Sequence, residues 1–331
     1  VLKLVLSRIA QGLVVLVVVS ALTFALLAAA GGDALTALAA EPHVSASALA
    51  ELRRVYGLDD PLFVRYVRWL AGFARGQMGY SIHFNAPVSL IILPRLVRTL
   101  FVAALALLLA WAVALALGVQ AARHPRSIWD RASEVLILLS ASTPRIVVAL
   151  VALAVAARTN LFTIGGTFEA STPFSLARAL APAIVLAAPL VALFLAQTRE
   201  SLRAALAEDF VRVARAKGLT ERAVVLRHAM RAALNPLITI FGYSLGSVVG
   251  GSVVAEYVLG WQGIGSLSVV AVLNRDVPLL MGVVVTTATA VLLGNLFADV
   301  LLRLNDPRLR LEESGRTSTN NVRPASTTTA T

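Results

Sequence analysis

The chain has 331 residues, 58% of them hydrophobic and only 14% charged, with a formal charge of +11 and a mean hydropathy of +0.81. Soluble domains carry roughly 45–50% apolar and about 25% charged residues, so this composition excludes an ordinary soluble enzyme and indicates a membrane protein. Cysteine is absent, which excludes disulfides and thiolate metal sites, and His43, His83, His124 and His228 show no metal-ligand spacing.

Six apolar stretches reach the roughly 20 residues that cross a bilayer as helix: Ile9–Ala30, Thr99–Ala122, Ser133–Ala157, Ala179–Thr198, Pro236–Val258 and Leu279–Leu302. The fold class expected is therefore all-α and polytopic. The first stretch follows Lys3 and Arg8, and its apolar run exceeds the about 7–15 residues of a cleaved signal core, so a retained anchor is expected over residues 1–30.

Residues 31–95 are long enough for a small helical subdomain outside the membrane. Asp60-Pro61 reads as an N-cap followed by proline at the first helical position. Leu62, Tyr66, Trp69, Leu70 and Phe73 then recur at helical spacing, with Arg65 and Arg68 on another face, and Gly76 and Gly79 close the pattern. An amphipathic cap packed on the membrane domain is the expected product. The core of five further spans is expected over 96–303.

The third stretch contains Ser142-Thr143-Pro144-Arg145, which places Arg145 near the middle of Ser133–Ala157. Arginine at that depth costs about 2.5–3.5 kcal/mol on insertion scales, so exposure to lipid is excluded. Arg145 either pairs with a carboxylate or lines a translocation pathway, and Pro144 beside it can kink the span.

The densest run of positive charge, DFVRVARAKGLTERAVVLRHAMRAALNP, lies between the fourth and fifth stretches, in a loop expected over 199–235. Leu202, Leu206, Phe210 and Val213 form an apolar stripe leading into it, with Arg203, Arg212 and Arg215 elsewhere on the helix. Gly218 suits a left-handed helix stop, Thr220 caps a second helix with Glu221 at its first position, and Asn235-Pro236 is expected to break the chain before span five. Two short amphipathic helices around a glycine turn suit a protein-docking element; an interfacial helix on anionic lipid is the competing reading.

Gly242-Tyr243-Ser244-Leu245-Gly246 matches the G-x-S-x-G pattern of hydrolases, which would make the chain a membrane-embedded hydrolase using Ser244. That motif needs a strand-to-helix turn and a later histidine; here it lies in an apolar helix and no histidine follows. Gly242, Gly246 and Gly250, four apart on one face, instead suit close helix packing. No G-x-x-x-x-G-K-[ST] run occurs, so ATP would have to be bound elsewhere.

Orientation follows from the arginines. Lys3 and Arg8, then Arg123, Arg126 and Arg131, the 199–235 loop, and Arg303, Arg308 and Arg310 all fall on one side of a six-span chain. The positive-inside rule makes that side cytoplasmic, with both termini inside. The tail 304–331, rich in Ser, Thr and Asn beyond Leu311, is expected to be disordered.

Arg212, Val213, Ala214, Arg215, Ala216, Lys217, Gly218 and Leu219, followed by His228, Arg231, Ala233-Leu234 and Pro236, resemble the cytoplasmic signature of ABC-importer permeases, nearest to the dipeptide/oligopeptide/nickel family. The likeness extends to Gly57-Leu58-Asp59-Asp60-Pro61 with Tyr66 and Trp69, to Gly250-Gly251, Glu256, Gly263-Ile264-Gly265 and Arg275-Asp276-Val277-Pro278, and to Asp306-Pro307-Arg308. The long segment after span one resembles the B-type subunit of the permease pair.

The resemblance implies a type I ABC-importer permease fold in the bacterial inner membrane and a role without catalysis. It implies a second, homologous permease, two cytoplasmic ATPase domains that bind ATP and Mg²⁺, and an external solute-binding protein; no cofactor or metal belongs to this chain, and nucleic acid is not a partner. The solute implied is a peptide, with nickel or another small solute as the alternative. By the same likeness Arg212, Ala214, Arg215, Ala216, Lys217, Gly218, Leu219, Thr220, His228 and Arg231 form the ATPase-coupling element. The chain departs from the family at Arg212, where glutamate is usual in importers at large, at Gln77 for aspartate, at Gln262 for proline, and at Arg145 for a small or polar residue.

Overall fold

The computed structural model describes residues 2–31, 46–55, 57, 59–159, 165 and 176–305. The expected tail beyond Asn305 and residues 160–164 and 166–175 lie outside these residues. Helices dominate: α1 (Leu2–Ala29), α2 (Ala46–Val55), α3 (Leu62–Ala74), α4 (Val88–Arg123), α5 (Ile128–Ser142), α6 (Arg145–Thr159), α7 (Leu176–Ala207), α8 (Asp209–Ala216), α9 (Glu221–Gly250), α10 (Ser252–Val258), α11 (Ile264–Leu273) and α12 (Val277–Asn305). A two-residue antiparallel ladder, Tyr80–Ser81 with Ala86–Pro87, pairs Tyr80 with Pro87 and Ser81 with Ala86 just before α4.

Among the described residues five helices are long and apolar enough to span a membrane, namely α1, α4, α7, α9 and α12. The sixth expected span is broken. α5 and α6 meet at 102° because Thr143 is extended (φ −90, ψ 116) ahead of Pro144, whose ring disfavours helical geometry in the residue before it. The single span Ser133–Ala157 is thus two half-length helices. Arg145 opens the second rather than sitting inside a continuous one.

α4 and α7 form the central pair, joined by α5, α6 and α9 around a core of Val102, Ala106, Ala110, Leu186, Phe194 and Leu195. Alanine and glycine dominate the contacts, letting backbones approach as small residues do between membrane helices. Gly118 of α4 lies under the Thr198 side chain, and a Cβ on Gly294 of α12 would come within 3.2 Å of Leu245 Cβ. α12 packs between α9 and α1, and Arg8 Nε meets Asp299 Oδ2 at 2.7 Å where α1 and α12 run together.

α3 has the expected amphipathic register, with Tyr66, Trp69, Leu70 and Phe73 inward and Leu62 exposed. The N-cap is Pro61 and not Asp60; Asp60 is drawn instead to Arg68, 2.7 Å from its Nη1. Tyr66 donates to the Val17 carbonyl (3.2 Å) and shares a hydrogen bond with Ser20 Oγ (3.0 Å), while Phe24, Tyr66, Trp69 and Phe73 form a row of rings. Val17 lies about 18 Å of helix below Ala29. The helix therefore packs on the flank of α1, not over its end. Gly76 at φ +81 stops it as expected.

Candidate functional site

The basic run folds as a hairpin at the end of the molecule that also carries Arg8, Arg123 and Arg203. α7 ends at Ala207, and Glu208 is extended (φ −70, ψ 152), which starts α8 in a new phase. The continuous stripe expected from Leu202 to Val213 is split by this break. Leu202 is buried, whereas Phe210 and Val213 are 41% and 54% exposed. Val211 and Ala214 are buried instead, against Leu202, Ala205, Ala122, Val224, Val225 and Ala229.

The turn after α8 is a Schellman cap. Leu219 N donates to Ala214 O (3.3 Å) and Gly218 N to Arg215 O (2.9 Å), with Gly218 at φ +76. No atom lies within 4 Å of where a Gly218 side chain would begin, so backbone conformation alone requires glycine there. Thr220 Oγ1 accepts from Ala223 N at 3.4 Å, and Arg215 Nε reaches Glu221 Oε1 at 2.7 Å across the turn.

The second arm does not end at Asn235-Pro236. It runs through a π-helical segment, Val224–Ala229, and continues as one helix to Gly250, with Pro236 inside it on an exposed face. Span five therefore starts before Pro236 and stops at Gly250; the residues to Val258 form the separate α10. A proline within a membrane helix is tolerated where neighbouring groups take up the freed carbonyl.

The hairpin's outer surface combines Phe210, Val213 and Leu219 with the exposed cations Arg212, Lys217 and Arg222; Arg215, Ala216, Gly218 and Thr220 are exposed on the same turn. His228 and Arg231 lie exposed farther along α9, and Ala214 faces inward. An apolar patch ringed by charge is the form of a protein-docking surface.

Beneath the hairpin is an ion network that was not recognised in the sequence. Asp130 accepts from Arg126 N (2.8 Å) and lies 2.7 Å from Arg199 Nη2; Arg203 Nη2 bonds both Asp130 and the Ala121 carbonyl (3.2 Å). Arg199 also meets Glu134. The signal was present as two facing i,i+4 pairs, Asp130/Glu134 and Arg199/Arg203, on helices whose pairing only the fold reveals. The network fastens α5 to α7 and α4 beneath the hairpin.

At the opposite end two buried carboxylates hold the connections between α9 and α12. Glu256 of α10 accepts from Thr99 Oγ1 (2.6 Å) and Ser266 N (3.0 Å). Asp276 accepts from Ser81 Oγ (2.6 Å), His83 N (3.2 Å) and Leu279 N (3.1 Å), capping α12 and holding the small ladder.

Gly242 and Gly246 pack as expected against α12, where a Cβ on them would meet Ala298 and would come within 2.9 Å of Val291 Cγ1; Gly250 does not, since a Cβ there would meet nothing within 4 Å. The 100° advance per residue carries the i+4 series slowly round the helix, and by Gly250 it has left the α12 contact. Gly251 is the constrained residue, since a side chain there would collide with the Arg145 guanidinium. Ser244 is buried in the helix with its Oγ donating to Phe241 O at 2.7 Å, so it has neither the exposed elbow nor the base that a nucleophile needs. Among the described residues no cluster of three metal-ligating side chains occurs.

Two family descriptions cover nearly the whole chain. Residues 114–311 match the binding-protein-dependent transport system inner membrane component, and residues 1–103 match the N-terminal part of the same system's membrane component. The oligopeptide transport system permease protein AppB of Bacillus subtilis is 34% identical over 311 residues, covering 92% of this chain and 98% of that protein. The dipeptide transport system permease protein DppB of Escherichia coli K12 is 30% identical over 335 residues, covering 93% and 99% respectively. With its six apolar segments, its broken third span and the basic hairpin in the matched region, this chain belongs to the family of binding-protein-dependent transport system inner membrane components.

Proposed function

We propose that the chain is the peptide-conducting permease subunit of an ATP-driven importer. It pairs with a homologous permease to enclose the path, receives peptide from a solute-binding protein outside, and is driven by two ATPase domains docked on the basic end. ATP and Mg²⁺ belong to those ATPases. The relatives named for oligopeptide and dipeptide transport, matched over almost their full length, support the peptide reading.

The observation that carries the reading is the hairpin of α8, Gly218 and α9. One side is packed into the bundle through Val211, Ala214, Val224 and Val225, and the other leaves Phe210, Val213 and Leu219 uncovered among arginines. A helix serving only as a lipid-surface anchor would need no Schellman turn and no second arm continuous with a span. The positive charge at this end supports a cytoplasmic location for it.

The test is a reconstituted complex with its ATPases and binding protein in liposomes. Peptide-loaded binding protein is expected to stimulate ATP hydrolysis and peptide uptake. A cysteine at Leu219 is expected to crosslink to the ATPase. Crosslinking only to lipid, with uptake intact, would refute the docking role.

A further inference from the structure

α9 is packed on two flanks and open on a third. Ala233, Leu237, Ser244 and Val248 are buried on one flank, and Gly242, Gly246 and Val249 on another, where the two glycines meet α12. Between them Pro236, Thr239, Tyr243, Ser247 and Gly250 fall within about 80° of arc at 100° per residue. All are exposed except the half-buried Ser247, and Tyr243 is 72% exposed.

This face differs from the chain's other outward surfaces. α1 presents Leu13, Val14 and Leu22, and α6 presents Ile146, Val147 and Leu150, as lipid contact requires. The open face of α9 presents a hydroxyl, a phenol, a second hydroxyl and a glycine. Thr239 and Ser247 donate to carbonyls of their own helix, at Asn235 and Ser244, which leaves the Tyr243 phenol as the hydroxyl on this face with no partner among the described residues.

Arg145 stands beside the upper end of this face, at Gly251, which lies about 40° round the helix from Ser247. Its guanidinium lies against Gly251, next to exposed Gly250, where the α5–α6 break and the α9–α10 break come together. α5 accounts for about 22 Å of helix between the basic end and this joint, inside a hydrocarbon core of about 30 Å. Among the described residues no carboxylate lies within ion-pair distance of Arg145. An uncompensated cation at this depth calls for an anion supplied from elsewhere.

We infer that the open face of α9 lines the solute path and that Arg145 binds the C-terminal carboxylate of the peptide passing along it. The inference rests on the peptide reading above and names the group recognised. A guanidinium fork matches a carboxylate bidentately, and every linear peptide carries one. Tyr243 and Ser247 provide hydroxyls for the peptide backbone below it. Gly251 leaves the room the guanidinium occupies.

The experiment uses the reconstituted complex with its binding protein and two probes, trialanine and trialanine amide. Each variant's ratio of acid to amide uptake is compared with the wild-type ratio, which cancels any preference of the binding protein. Arg145→Gln is expected to slow trialanine uptake about tenfold, about 1.4 kcal/mol, while changing the amide less than about twofold. Arg145→Lys is expected to keep the preference for the free acid.

Equal loss of both probes in Arg145→Gln, or no loss of either, overturns the inference. So does failure of Arg145→Gln to assemble while Arg145→Lys assembles, since that outcome pairs the charge with the second permease. A loss that tracks the content of anionic lipid assigns the guanidinium to a headgroup and overturns it as well. A wild-type complex that carries neither probe refutes the peptide reading itself, a result distinct from all of these.

Discussion

Thr99 of α4 donates to Glu256 of α10 through a 2.6 Å hydrogen bond that joins residues 157 positions apart. Thr99 Oγ1 also accepts from Ile264 N at 2.8 Å, so one hydroxyl ties the second span to the start of α11. Gly263 lies directly over the carboxylate and the hydroxyl, and no side chain fits there.

Gly263→Ala is therefore expected to destabilise the protein by about 1–3 kcal/mol, the usual cost of forcing an extra carbon into a packed site. Thr99→Val leaves a buried carboxylate short of a donor and is expected to cost a similar amount, about 1–3 kcal/mol. Gly250→Ala, at a position with no neighbour within 4 Å, is the contrast and should change stability by less than about 0.5 kcal/mol. Thermal unfolding in detergent ranks the three, and an unaffected Gly263→Ala would contradict the packing described.

At the basic end, Gly218→Val is expected to abolish binding-protein-stimulated ATP hydrolysis and uptake while the chain still inserts. A β-branched residue is strongly disfavoured at φ +76, so the Schellman turn must open and Leu219 must move. Membrane yield and ATPase stimulation measured together test this. Normal coupling in the variant would show that the turn is not where force is passed.

The two carboxylates beneath the hairpin are expected to behave unequally. Asp130 is buried between two guanidiniums, and Asp130→Ala removes the carboxylate partner of Arg203 and leaves Arg199 with Glu134 alone, at a cost near the lower end of about 3–5 kcal/mol because Arg203 remains partly solvated. Glu134 is 58% exposed, and Glu134→Ala should cost no more than about 1 kcal/mol. Comparable losses in the two variants would count against this ranking, again by thermal unfolding.

Sidedness can be read with single cysteines, because the chain has none. Lys217→Cys at the hairpin is expected to react with an impermeant maleimide only after permeabilisation. Gln77→Cys, exposed just before the small ladder, is expected to react in intact cells. The reverse pattern would invert the topology.

Length and hydropathy made the long helices legible, because spanning a bilayer imposes a length that few other constraints do. Gly218, Thr220 and Glu221 were legible too, since a left-handed stop followed by a cap depends on local chemistry alone. Proline was legible only in part: the kink expected at Pro144 is there, as a full break, whereas the break expected at Pro236 is not. The same residue type breaks the chain at Pro144 and sits within a helix at Pro236, and what differs is tertiary: α9 is held on two flanks by α7 and α12, whereas the α5–α6 joint turns aside toward α10. Gly250 was misassigned because helical drift over eight residues cannot be scored without knowing the neighbour. The Asp130–Arg199–Arg203 network lay hidden for a related reason, each half being unremarkable until α5 and α7 are placed side by side.

The unbroken run from Glu221 to Gly250 has a mechanical consequence. Its 30 residues make a rod of about 45 Å whose lower end follows the Gly218 turn and whose upper end adjoins the Arg145 guanidinium. Pivoted at its base, such a rod tilted by only about 5° carries Gly250 sideways by about 4 Å, the width of a peptide backbone, with no change in its internal hydrogen bonds. A small stroke at the basic end thus arrives at the Arg145 end enlarged, as at the tip of a lever.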